Sequence, residues 1–345
     1  MDHTTDNLNE DFEKTLNPEP NDNVNFTNRI DLSELQEGVA QIRTEISKVI
    51  VGQKGMIDML IASILANGHS LIEGVPGVAK TISAKLLAKS LAIDFSRIQF
   101  TPDLMPSDIL GTSVFDMKTS EFEFKKGPIF SNMILIDEIN RAPAKTQAAL
   151  FEVMEERQVT IDGNQYKMDL PFIVLATQNP VEQEGTYRLP EAQLDRFLFK
   201  IDIDYPNLEE EIEIITREQG LKGSKKTDKI TQHLDKSKIE AFQELVNQII
   251  IEPNLIKYIA DLIVNTRTNP FLYLGASPRA SIAILKASKA FAAMQGRDFV
   301  TPEDIKRAAV PVLQHRVIVT PEREMEGITT KQIIAQIIDA VEIPR

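Results

Sequence analysis

Residues 69–81 read HSLIEGVPGVAKT, a short apolar run that passes into a glycine-bearing turn and ends on a lysine and a threonine. The turn is Gly74, Val75, Pro76, Gly77, Val78, Ala79, Lys80, Thr81. It fits the phosphate-binding pattern G-x-x-x-x-G-K-[ST] everywhere but at Ala79, which stands where the pattern has its second glycine. Such a loop, set between a strand and a helix, points backbone N–H groups at a phosphate. The lysine then serves the β and γ oxygens and the hydroxyl serves Mg2+. Ala79 directly precedes Lys80, where the chain is expected to enter the helix with negative φ, a conformation alanine accepts. Gly77 remains for a position that needs positive φ.

Outward from this loop the chain alternates short apolar runs with helical patterns. HSLIE (69–73), FSRIQFT (95–101), MILID (133–137), FIVLAT (172–177) and FLFKIDI (197–203) read as strands, with helical stretches at 80–92 and 144–156 among the segments between them. That order predicts an α/β fold with a five-stranded parallel sheet covered by helices on both faces. Two pieces interrupt it: 113–127, an inserted hairpin, and 157–168, a hairpin turning at Asp162-Gly163 or Gly163-Asn164. Upstream, 31–53 carries Leu35, Val39, Ile42, Ile46 and Ile50 at helical spacing. After Pro206 no further strand is expected. Asn207 can cap a helix that opens with LEEE, and TPEDIKRAA (301–309) places Thr at N-cap, Pro at N1 and Asp at N3. The expected organisation is an acidic, disordered tail over 1–30, an αβα unit over 31–206 and a smaller all-helical unit over 207–345, with a basic loop at 220–229.

Composition narrows the function. Two domains are the default for 345 residues, and with no Cys there is neither a disulfide framework nor a thiolate metal site. The four His are scattered, which favours packing or surface roles over a metal cluster. A net charge of −13 disfavours general binding to nucleic acid. The N-terminus has no apolar h-region and no run approaches the length of a spanning helix, so a soluble, cytoplasmic protein without membrane insertion is expected.

The second chemical element is NMILIDEINRA (132–142), four apolar residues leading into Asp137-Glu138 at the carboxyl end of a strand. Sheets of this class place their ligands there. Two adjacent buried carboxylates are costly unless a cation or hydrogen bonds compensate. With a phosphate loop upstream, Mg2+ is the natural cation: Asp137 with Thr81 holds the metal and its ligand shell, partly through water, and Glu138 polarises the attacking water. The alternative is an ordinary strand end with solvated acids.

Five stretches taken in order, GVPGVAKT (74–81), FTPDLMPSDILG (100–111), LIDEINRAP (135–143), LATQNPVEQEGTYRLPEAQLDRF (175–197) and GASPRA (275–280), resemble the MoxR family of AAA+ ATPases from residue 31 to about 340. Ala before the lysine is common in that family. The resemblance implies ATP and Mg2+ as cofactors, ATP hydrolysis, and a phosphate-sensing role for Asn179, in place of a plain Asn-Pro turn. It also implies an arginine finger at Arg196 that acts on the neighbouring subunit, with Arg188 a second candidate, and hence a ring, most simply a hexamer. Ile50 and Val51 are expected against the adenine, the alternative being a plain helix end. Arg279 sits in a first helical turn after Ser277 and Pro278, where a cation opposes the helix dipole by about 0.3–1 kcal/mol. A phosphate would compensate, which matches the lid arginine that the resemblance places on the γ-phosphate. The hairpin tip DMKTSE (116–121) faces a pore, a partner, or solvent. The resemblance further implies remodelling of a protein client, with von Willebrand factor A domain proteins the expected partners. Two other readings remain open at this point: a DNA-acting motor, and a nucleotide-gated scaffold with little turnover.

Overall fold

The structure, a computed structural model, describes residues 30–179, 186–219 and 230–343. The expected tail (but for Ile30), the PVEQEG part of the fourth motif and the basic stretch 220–229 lie outside the described residues. In chain order the elements begin with α1 (Ser33–Ser47) and α2 (Lys54–Leu65), then β1 (Ser70–Gly74), α3 (Lys80–Ser90), β2 (Phe95–Gln99) and a short α4 (Pro106–Leu110). They continue with β3 (Gly111–Asp116), β4 (Glu121–Lys126), β5 (Met133–Asp137), α5 (Ala144–Glu156), β6 (Gln158–Ile161), β7 (Asn164–Lys167) and β8 (Ile173–Gln178). A short α6 (Glu191–Leu194), β9 (Phe199–Ile203) and α7 (Leu208–Gln219) follow. The remainder is α8 (Lys236–Gln248), α9 (Pro253–Thr268), β10 (Leu272–Leu274), α10 (Pro278–Met294), α11 (Pro302–Leu313), β11 (Ile318–Val319), α12 (Pro321–Met325) and α13 (Thr330–Ala340).

The five expected strands form one parallel sheet in the order β2-β5-β8-β1-β9. Side-chain alternation explains why their sequences read as unbroken apolar runs. Along β5, Met133 and Leu135 enter one apolar layer while Ile134 and Ile136 enter the other; along β8, Ile173 and Leu175 divide from Val174 and Ala176 in the same way. Both faces of the central strands are therefore dry. β9 lies at an edge and buries only Phe199, Ile201 and Ile203; its other face carries Lys200 and Asp202, and Lys200 pairs with Glu73 of β1 at 3.1 Å.

Both hairpins form. The second turns at Asp162-Gly163, whose φ angles of 51° and 80° are those of the primed turn that suits strand twist. Ser113 of β3 donates to Asp162 at 2.5 Å, and Phe124 of β4 lies 4.3 Å from Tyr166 of β7, so the two insertions brace each other.

The caps read from sequence are present. Asn207 Oδ1 accepts from the Glu210 backbone and Glu210 Oε2 accepts from the Asn207 backbone, each at 3.0 Å, and Thr301 with Asp304 makes a reciprocal capping box ahead of α11. One expectation is corrected. Strands do not stop at Pro206: β10 and β11 pair antiparallel and add a short ribbon to the otherwise helical lid. The apolar layer on the Met133/Leu135 face runs without a break into the lid, from Leu35 of α1 through Leu60 of α2 to Phe291 of α10 and Ile337 of α13.

The lid is also pinned to the core by polar contacts. Buried Arg316 pairs with Asp195 at 2.7 Å and donates to the carbonyls of Asp195, Phe197 and Leu198. Burial lowers its pKa, and the adjacent His315, whose ring nitrogen meets the Phe197 carbonyl at 3.0 Å, is held well below the usual histidine range by the same burial and by Arg316. His69 is likewise pushed down to about 4, by burial first and then by Arg157. These are packing histidines, as expected of a scattered set.

Candidate functional site

β1 ends at Gly74 and α3 begins at Lys80, so the six residues from Gly74 to Ala79 make the strand-to-helix loop that the pattern requires. Lys80 Nζ donates to the Gly74 carbonyl at 2.5 Å and to the Gln178 carbonyl at 3.4 Å, which lays its stem across the loop between the ends of β1 and β8. Gly77 has φ of 89° and open space where a Cβ would stand.

Ala79 departs from the expectation. Its φ is 62° and ψ 20°, left-handed backbone, where negative φ was predicted. The loop's last residue must turn its N–H inward before the helix begins, and that needs the conformation the pattern's glycine supplies. The methyl group packs against the apolar layer that also takes Val78 and Ile203, which offsets part of the left-handed cost of about 1–2 kcal/mol. Ala79→Gly is therefore expected to change stability by less than about 0.5 kcal/mol, since relief of the backbone is balanced by lost packing and by a freer unfolded chain. Ala79→Val should cost about 2 kcal/mol or more, because a β-branched residue tolerates this backbone worst. Chemical unfolding of the two variants checks this; equal stabilities would remove the conformational argument.

The acid pair meets the loop through strand order. β5 and β1 flank β8, and this brings Thr81 Oγ1 to 3.4 Å from both carboxylate oxygens of Asp137, which is 5% exposed. Thr177 of β8 donates to Asp137 Oδ1 at 3.1 Å and accepts from the Glu138 backbone at 3.1 Å. Glu138 itself has φ of 58°, a strained choice for this residue type of the kind found at functional sites. Its carboxylate takes Gln99 Nε2 at 2.8 Å and Arg141 Nε at 3.3 Å. Asn179, just past β8, is 7% exposed. A hydroxyl and a buried carboxylate side by side make the hard oxygen donor set that suits Mg2+, so the residues present fit the metal that the sequence implied.

Residues from β2 that sequence reading passed over complete this end of the sheet. Gln99 pairs in register with Asp137, and Arg97, two residues earlier on the same side of the strand, reaches Asp137 Oδ2 at 2.6 Å. The signal was present: FSRIQFT puts Arg97 and Gln99 at period two around buried Ile98.

Arg196 and Arg279 stand elsewhere. Arg196 precedes β9, whose amino end lies beside His69 at the amino end of β1; the Leu198 backbone donates to the His69 carbonyl at 2.7 Å. The phosphate loop is at the other end of β1, about 16 Å of strand away. Arg279 Nη2 bonds Glu155 Oε1 at 2.8 Å, and Arg196 Nε lies 3.8 Å from Glu155 Oε2 while its Nη1 donates to the Phe151 carbonyl. Within this chain Arg279 pairs with Glu155, away from the loop that ends β1. Ser277, bonded to Asp195 at 2.8 Å, and Arg316 fix the start of α10 to the far end of the sheet. Arg188 is 85% exposed on its side chain and 3.8 Å from Glu191, apart from both groups.

Ile50 and Val51 are buried and line a cavity of about 530 Å³ together with Gly52, Ile57, Glu213 and Arg217. None of residues 74–81 lines it.

Comparison with known proteins agrees with this architecture. Residues 69–199 match the ATPase family associated with various cellular activities (AAA), and residues 264–337 match the AAA lid domain. The chain is 45% identical to an uncharacterised protein, YeaC, of Bacillus subtilis over 87% of this chain and 92% of that one. It is 41% identical to the chaperone MoxR1 of Mycobacterium tuberculosis over 87% and 81% respectively. The solved structure of a candidate ATPase from Cytophaga hutchinsonii superposes with a TM-score of 0.83 at 43% identity, covering 98% of this chain and 99% of its own.

Proposed function

The chain belongs to the MoxR family of AAA+ ATPases, and from that premise we propose that it binds and hydrolyses ATP with Mg2+ and uses the cycle, as a ring, to remodel a protein partner. The observation that carries the reading is the approach of Thr81 to Asp137, 3.4 Å, at the mouth of a phosphate loop. Loop and acid pair come from sequence positions 56 residues apart and are of use together only to a phosphorylated ligand and its metal. Thr81 and Asp137 would hold Mg2+, which would supply neutralisation of charge on the terminal phosphates.

The chain's own groups supply the rest. The backbone N–H groups of 74–81 cradle the phosphates. Lys80 leaves the carbonyls of Gly74 and Gln178 for the β and γ oxygens. Glu138 orients and polarises the attacking water, and Asn179 holds that water against the γ-phosphate. Arg196 and Arg279, which share Glu155 at the far end of the sheet, serve a neighbour's nucleotide in place of their own. That placement supports an assembly, most simply a hexamer, of units built from residues 31–206 with a lid of 207–345. Ile50 and Val51 take the adenine.

The partner side rests on chemistry and kinship. Met117, Phe122 and Phe115 are exposed at the outer half of the first hairpin, at 88%, 75% and 49%, and Phe115 and Phe122 face each other at 5.2 Å. An apolar tip on a braced arm suits contact with a polypeptide. A relative named a chaperone supports a protein client. A von Willebrand factor A domain is the client class that we propose. No helix among the described residues is long and apolar enough to cross a membrane, and a cytoplasmic location remains part of this proposal.

The test is Lys80→Ala. Removing the ammonium from the loop is expected to weaken Mg·ATP binding by at least about tenfold, the loss of one charge-assisted contact to phosphate. Calorimetric titration against wild type reads it, and an unchanged affinity would sink the phosphate-loop assignment.

A further inference from the structure

Arg97 is the least expected group near the acid pair. It comes from β2, an edge strand, with its side chain half exposed, yet its Nε meets Oδ2 of a carboxylate that is almost fully buried, at 2.6 Å. Its Nη2 also donates to Gln99 Oε1 at 3.2 Å, and Gln99 in turn donates to Glu138 Oε2 at 2.8 Å. Arg97 is thus tied to both acids, to Asp137 directly and to Glu138 through one amide. Thr177 holds the other Asp137 oxygen at 3.1 Å, so both oxygens of this carboxylate have partners.

A divalent ion held by Thr81 and Asp137 would draw on a carboxylate that already carries the guanidinium. Two cations drawing on one carboxylate would repel each other even at surface dielectric values. A buried carboxylate in turn needs a positive partner. Resting on the assignment of Mg2+ to Thr81 and Asp137, we propose that Arg97 is a positioning residue and a built-in competitor of the metal: guanidinium and Mg2+ are alternative partners of Asp137, and loading the metal displaces Arg97. The half-exposed side chain has solvent to swing into, and among the described residues no strand pairs on the outer side of β2 to block the movement.

The proposal fixes a sign that a merely structural arginine would not. ADP affinity is measured by calorimetry in saturating Mg2+ and in EDTA, and the ratio of the two is the magnesium factor. Arg97→Gln, which can still donate a hydrogen bond to Asp137 but brings no charge, should raise that factor about tenfold over wild type, since no cation has to leave. Arg97→Lys, which restores the charge, should bring it back toward the wild-type value. In wild-type protein, which needs no variant to fold, the Arg97 Nε–H signal in an ¹⁵N spectrum should be protected from exchange with ADP alone and lose protection when Mg2+ is added.

A factor unchanged or lowered by Arg97→Gln, or an Nε–H that stays protected with Mg2+, overturns the competition. A wild-type ADP affinity indifferent to Mg2+ overturns the metal assignment itself and the competition with it. The two failures are therefore distinct.

Discussion

Glu138→Gln is expected to leave Mg·ATP affinity within about twofold of wild type while turnover falls by a factor of about 10² to 10⁴, the range for losing a positioned general base. The substitution keeps the side chain's size, and its carbonyl oxygen can still accept from Gln99 Nε2, now 2.8 Å away. Affinity should hold because the groups proposed on the phosphates, Lys80, Thr81 and the loop N–H groups, are untouched. What is lost is the negative charge that draws a proton from water. Arg141, 3.3 Å from the same oxygen, loses an ion-pair partner, but both groups are about a third exposed and a pair of that kind contributes little to stability. The measurement is steady-state phosphate release beside direct ATP titration. A near-wild-type rate would remove Glu138 as the base and shift attention to Asn179. The slowed form has a second use: held with ATP, it is the state from which a client can be captured from its native cell and identified.

Much of this was legible in the chain. MILID and FIVLAT are continuous apolar runs too short for buried helices, and the structure shows why they are continuous, since both faces of β5 and β8 are covered. The hairpin over 157–168 was legible because Asp-Gly and Gly-Asn both suit a primed turn, and the structure turns at Asp162-Gly163. The lid ribbon was hidden because LYL and IV are three and two residues long and exist as strands only through pairing across the intervening helices. Ala79 misled for a different reason. Helix propensity argued for a right-handed start, whereas the geometry of the loop, which propensity does not describe, imposed the left-handed one.

The site divides along the same line. Residues of one motif, Lys80 with Thr81 or Asp137 with Glu138, could be read from spacing. Partnerships between motifs, Arg97 with Asp137 or Glu155 with Arg279, follow from which strands and helices lie side by side, and strand order is a property of the whole sheet. Arg279 shows the limit of local reasoning. Its first-turn position called for an anionic partner, and within this chain Glu155 of α5 is such a partner.

That pairing bears on the second large effect, the behaviour of Arg196. Arg196→Ala is expected to lower turnover in assembled protein by about 10³, the lower end for an arginine that meets transition-state charge on phosphate, with little change in nucleotide affinity. The residue cannot serve its own loop, because it precedes β9 at the amino end of the sheet while the loop follows β1 at the carboxyl end. If it acts at all it acts on another copy, and this is open to a complementation test. Arg196→Ala subunits keep an intact loop and acid pair but present no finger. Lys80→Ala subunits bind ATP weakly yet present an intact Arg196. Each alone should show strongly reduced turnover, whereas a mixture creates interfaces at which a sound loop faces a sound arginine, and activity should rise to a maximum near equal proportions. Arg188→Ala, mixed in the same way, serves as the comparison, since Arg188 is far more exposed and, among the described residues, pairs with Glu191 at 3.8 Å. Mixed assemblies that form, as seen by co-purification of differently tagged subunits, and still show no turnover would count against action in trans. Recovery with Arg188→Ala but not with Arg196→Ala would move the finger to Arg188.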